Sequence, residues 1–169
     1  MAGPDGEERT RPVRFARRLV EWWAVGGGVV LLGVALMTTW SAFSGWVFSR
    51  PMPGDFELTE IFVAVAVFAF LPYCQQTDAN VTADLFTAGA GPRALTGFRL
   101  LGALIALVVA VVLAWRTWAG LLDYQRYVET TAILKIPIWW AYVPALASLI
   151  LLVLACALLL RDEWRALVR

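Results

Sequence analysis

Residues 100–115 read LLGALIALVVAVVLAW, a stretch without a charged residue between Arg99 and Arg116. A helix built from it is apolar on every side and has no face to turn to water. With a few more residues at its start it reaches the ~20 needed to cross a hydrocarbon core at 1.5 Å per residue. Three similar runs stand around this one: the four spans are expected at roughly 22–48, 57–74, 95–115 and 136–160. In lipid a backbone must satisfy its own hydrogen bonds, so each run must be helical. The fold class predicted is an all-α integral membrane protein of four transmembrane helices, folded as one domain over residues 1–169.

Composition points the same way. The chain is 60% hydrophobic and 16% charged, against about 25% charged in a soluble domain. A formal net charge of +1 gives no pull toward nucleic acid. The absence of histidine removes a bis-His haem, a His-based metal site and a Ser-His-Asp nucleophile. Cys74 and Cys156 form no CxxC pair and read as small apolar residues. Neither an enzyme nor a cofactor is expected.

The segments between the spans carry the polar residues. Arg9, Arg11, Arg14, Arg17 and Arg18 precede the first span, with Val13, Ala16, Val20 and Trp23 recurring at helical spacing. This predicts a short interfacial helix at the N-terminus. The run 22–48 is too long for a signal-peptide core, so an uncleaved anchor is expected. Ser49 to Asp55 contains Pro51, Pro53 and Gly54 and reads as a turn. Glu57 and Glu60 open the second span, where carboxylates favour a helix N-terminus. Residues 75–94 form a polar loop that includes Asp84. Residues 116–131 read either as a second short interfacial helix or as the third span continuing into water.

Within the spans, Gly102, Ala106, Ala110 and Ala114 fall four apart. Such a small-residue ridge lets helix backbones approach closely in lipid. Pro137 stands near the start of the fourth span, where a missing N–H costs least. Trp139, Trp140 and Tyr142 form an interfacial aromatic belt. Pro144 is placed to bend the helix. Ten of the fourteen Lys and Arg residues fall in the two termini and in the connection between spans two and three. By the positive-inside rule both termini face the cytoplasm, and residues 49–56 and 116–135 face outward.

The most specific pattern is distributed. Arg50-Pro51-Met52-Pro53-Gly54-Asp55-Phe56-Glu57-Leu58-Thr59-Glu60 joins spans one and two. Asn80-Val81-Thr82-Ala83-Asp84 follows span two. Glu129-Thr130-Thr131-Ala132-Ile133-Leu134-Lys135-Ile136-Pro137-Ile138-Trp139-Trp140-Ala141-Tyr142 leads into span four. In order and spacing this resembles the small membrane subunit of tripartite ATP-independent periplasmic (TRAP) transporters, the DctQ-like family, over nearly the whole chain. Two places depart from the family pattern. Gly45-Trp46-Val47-Phe48 stands where many members have an Arg-aromatic pair, and Asn80 where many have His.

The resemblance implies a non-enzymatic brace in the bacterial inner membrane. Its partners would be a large multi-span elevator-type subunit, a periplasmic binding protein that delivers a small organic solute, and membrane lipids. Glu57, Glu60, Asp84, Gly102, Ala106, Ala110, Pro137, Trp139 and Tyr142 are the candidate structural or partner-interface residues. Asp84 reads equally as a tie to the large subunit or a solvated turn residue. Trp118, Tyr124 and Tyr127 read equally as a contact with the binding protein or as headgroup anchors. The alternative function is a self-contained, homodimeric, proton-coupled transporter with Glu60 as its titrating group.

Overall fold

The computed structural model describes residues 4–77 and 92–168. Four helices account for most of them: α1 (Pro4–Phe48), α2 (Asp55–Gln76), α3 (Pro92–Tyr127) and α4 (Trp139–Val168). All four are long and apolar enough to cross a membrane. The expected span ends lie within a few residues of the helix ends at Phe48, Asp55, Gln76 and Trp139.

The two short interfacial helices are not separate elements. Residues 4–21 run unbroken into α1, and residues 116–127 continue α3. No breaker interrupts either junction, because the stretches 18–25 and 112–119 contain neither Gly nor Pro. A helix already nucleated in lipid adds one hydrogen bond for each further residue fixed. The fourth span begins at Trp139, which leaves Pro137 in the preceding loop, paired with Thr130 in an isolated antiparallel bridge.

The helices pack as a row more than as a closed bundle. α2 lies between α1 and α4, α1 meets α4 only narrowly, and the extensive packing of α3 is on α4. Arg17 of α1, Gln76 of α2 and Leu158 of α4 line one groove, and Leu100 of α3 with Arg161 of α4 line another. The start of α1, the end of α2, the start of α3 and the end of α4 therefore share one end of the molecule, here called the terminal end. The loops 49–54 and 128–138 share the opposite, distal end.

The seam of α1 follows from its sequence. Val20, Ala24, Gly27, Val34 and Ser41 are buried, with Leu31 and Thr38 half-buried between them. Alternating steps of four and three are the spacing of left-handed, coiled-coil-like packing. A Cβ on Gly27 would lie 2.9 Å from Ala69 Cβ and 3.4 Å from the Ala66 carbonyl oxygen. Glycine is thus required where α1 crosses the buried Ala66 and Ala69 of α2, and close approach is what holds helices together when both sides are equally apolar. Outside this seam Phe15, Trp22, Val29, Leu32, Leu36, Trp40 and Trp46 are all exposed, which suits lipid or a partner.

Polar groups within the spans are satisfied locally. Thr38 and Thr39 donate their hydroxyls to the carbonyls of Val34 and Ala35 at 3.0 and 2.7 Å. The Trp23 indole N–H donates to Ser148 Oγ at 2.9 Å, and Ser148 donates to the Pro144 carbonyl at 2.8 Å. This chain ties α1 to α4 beside the proline of α4. Among the described residues no buried side-chain nitrogen or oxygen lacks a partner, as hydrocarbon surroundings demand.

Candidate functional site: a clasp at the distal end

The distal end is where polar side chains converge. Ser49 follows α1 at φ 52°, and the chain turns through Pro51 and Pro53 to Gly54 at φ 79°. Proline fixes the approach to the turn, and glycine takes the left-handed conformation at no steric cost. Asp55 then starts α2. Its Oδ1 accepts the Phe56 N–H at 2.8 Å and its Oδ2 accepts the Ser41 hydroxyl at 2.5 Å. Ser41 Oγ also accepts the Met52 N–H at 3.1 Å. Ser44 donates to the Arg50 carbonyl at 2.8 Å. The last turns of α1 thus hold both sides of the loop that leaves them.

The second loop is a short hairpin-like excursion between α3 and α4. Val128 leaves α3 at φ 45° and Lys135 has φ 56°. The Thr131 N–H donates to the Ile136 carbonyl at 2.9 Å, and the Ile138 N–H to the Glu129 carbonyl at 3.1 Å. Thr131 Oγ1 accepts the Ile136 N–H at 3.1 Å. These bonds turn the backbone of residues 132–134 toward α2.

Glu57 joins the two loops. Its Oε1 accepts the Ile133 N–H at 2.6 Å and its Oε2 accepts the Leu134 N–H at 2.9 Å. A carboxylate taking two adjacent backbone N–H groups is a charge-assisted pair, about twice as strong as neutral hydrogen bonds. The same charge stands in the first turn of α2, where the helix dipole favours it. Beside it the Leu134 side chain covers Gly54: a Cβ there would fall well inside contact distance of Leu134 Cγ, Cδ1 and Cδ2. The clasp therefore has a polar half, Glu57 on the 133–134 backbone, and an apolar half, Leu134 on Gly54.

The approach of α3 to α4 completes this end. Tyr124 and Tyr142 meet with ring centroids 5.0 Å apart. A Cβ on Gly120 would lie 3.0 Å from Tyr142 Cε1, so the ring occupies the space that glycine leaves. Trp139 and Trp140 make an edge-on contact at 6.1 Å.

The candidate residues of the sequence distribute as follows. Glu57, Pro137, Trp139 and Tyr142 gather at the distal end, within the clasp or on the helix that leaves it. Glu60 is exposed and has no partner among the described residues. On α3, Ala110 is buried and Ala106 half-buried, while Gly102 is exposed with nothing near its missing Cβ. Ala103 and Leu121 are buried on the same helix as Ala110. Asp84 lies outside the described residues. Among those residues, no three Cys, Asp or Glu side chains gather within reach of one metal ion.

Sequence reasoning passed over Ser41 and named Leu134 only as part of a longer pattern. It noted Gly54 and Asp55 only as turn formers. The available signal was that a single pattern contained both loops, separated by the length of two spans.

The family model described as "Tripartite ATP-independent periplasmic transporters, DctQ component" matches residues 34–166. The match takes in both loops of the clasp and all of α2 and α3. No curated protein matches the chain.

Proposed function

The chain belongs to the DctQ component family of TRAP transporters, and from that premise we propose how it serves as their small membrane component. It is a multi-pass membrane protein whose four helices form a single domain in the bacterial inner membrane, both termini in the cytoplasm and the clasp outside. It braces a large, multi-span, elevator-type subunit, which takes up a small organic solute delivered by a periplasmic binding protein.

The observation that carries this reading is the family match over residues 34–166. The geometry supports a bracing role. A wall against which another domain moves must keep its own shape, and Glu57, Leu134 and Gly54 fix the two distal loops to each other. The wall also needs surface to offer. Only 11% of the apolar window of α3 is buried, against 28% for α4, so most of the third helix remains available to lipid and to a neighbour.

The test is co-expression with a large TRAP membrane subunit from the same organism. The two should purify together in mild detergent, and uptake into proteoliposomes loaded with the cognate binding protein should require both. Uptake by the large protein alone at the full rate would overturn the bracing role.

A further inference from the structure

We propose that the groove between the start of α3 and the end of α4 is a binding site for an anionic phospholipid, with the lipid phosphate on Arg161 and an acyl chain along the leucine walls. The groove is lined by Leu100 and Leu104 of α3 and by Leu160, Arg161 and Trp164 of α4, and its volume is about 540 Å³. That volume is of the order of a small-molecule site, and a groove apolar along its walls and polar at its mouth is the usual form of one.

The position selects the ligand. Arg161 is the first charged residue after the apolar run of α4, and Trp164 stands one turn beyond it. Both are exposed, and Arg161 has no hydrogen-bond or ion-pair partner among the described residues. A guanidinium in that state at the edge of hydrocarbon is matched by an anion that can reach it from within the membrane. A phosphate is the natural partner, because a guanidinium meets it through two parallel N–H bonds. Trp164 would sit at headgroup depth, where indole rings are favoured. Leu100, Leu104 and Leu160 then continue inward where an acyl chain lies. Basic pockets between membrane helices hold anionic headgroups in this way.

In the sequence, Arg93 and Arg99 belong to the start of α3, and Asp162, Glu163 and Arg165 follow Arg161 in α4. At the distal end the junction between α3 and α4 carries Tyr124 against Tyr142.

The site can be tested on the full chain in detergent by native mass spectrometry, with dioleoyl phosphatidylglycerol and dioleoyl phosphatidylcholine titrated separately. Wild type should retain phosphatidylglycerol more tightly than phosphatidylcholine. R161Q should weaken phosphatidylglycerol about fivefold, the usual loss for one basic residue at a membrane surface, and leave phosphatidylcholine unchanged. R116Q, a charge-matched change on the exposed surface of α3 away from the groove, should bind as wild type does. L104W, which fills the groove without touching charge, should lower retention of phosphatidylglycerol. Equal retention of the two lipids by wild type, equal loss in R116Q and R161Q, or undiminished binding in L104W would each overturn the site.

Discussion

The two ends of this molecule are held by different means. At the distal end, polar groups pin loop to loop: Glu57 holds the backbone of Ile133 and Leu134, and Asp55 holds Ser41. In the terminal half, small residues let α1 lie against α2 at Gly27, and the helix ends beyond leave open grooves. The difference follows the solvent. Where the chain leaves hydrocarbon, carboxylates can be ionised at little cost and backbone N–H groups need acceptors. Within hydrocarbon an ion is expensive, and contact between close backbones is the main force available.

This contrast predicts separable damage. The largest effect should come from Gly54→Val, which forces a β-branched residue to φ 79° and drives its side chain into Leu134. The left-handed strain and overpacking together should cost about 3 kcal/mol. The variant should lose thermal stability in detergent, and protease should cut within residues 128–138. Gly27→Val should come next, at about 2 kcal/mol for overpacking against Ala69 and the Ala66 carbonyl. Its signature should be opposite. A cysteine pair reporting the distance between α1 and α2 near Gly27 should separate, while the distal loop stays protected.

Glu57→Gln should have the smallest and most local effect. The side chain keeps its shape but loses its charge, and one of its two acceptors becomes a donor facing a donor. Amide exchange at Ile133 and Leu134 should accelerate about tenfold, as for loss of a hydrogen bond to a charged group, with exchange elsewhere unchanged. Uniform acceleration across α2 and α4 would show that the two ends are one cooperative unit and remove the distinction between them.

What could be read from the sequence divides along the same line. The four spans were legible because a run such as residues 100–115 has one structural solution in lipid. Their ends were legible because Pro51, Pro53 and Gly54 interrupt helix, and because Trp139 and Tyr142 prefer the interface. The continuity of α1 and α3 into their charged flanks was not legible. Polar residues on an amphipathic stretch suit a separate surface helix and an extended span equally, and only the backbone distinguishes them. The ridge on α3 shows a second limit. A spacing of four places Gly102, Ala106 and Ala110 near one another, but within this chain the face that packs takes in Ala110 and Ala103 and leaves Gly102 exposed. Glu57 was visible as a favourable charge at a helix start, yet nothing local revealed an acceptor for amides 76 and 77 positions away.

That separation also bears on the order in which the protein can be assembled by a ribosome and an insertion channel. α1 and α2 emerge first and can settle against each other through Gly27 before the rest of the chain exists. α3 comes next, and the helix on which it mainly packs has not yet been made. The carboxylate of Glu57 must wait for Ile133 and Leu134 to be made before it finds its amides. A polypeptide interrupted before residue 133 would carry three helices and the contact of α1 with α2, but not the carboxylate-to-amide fastening between the two distal loops.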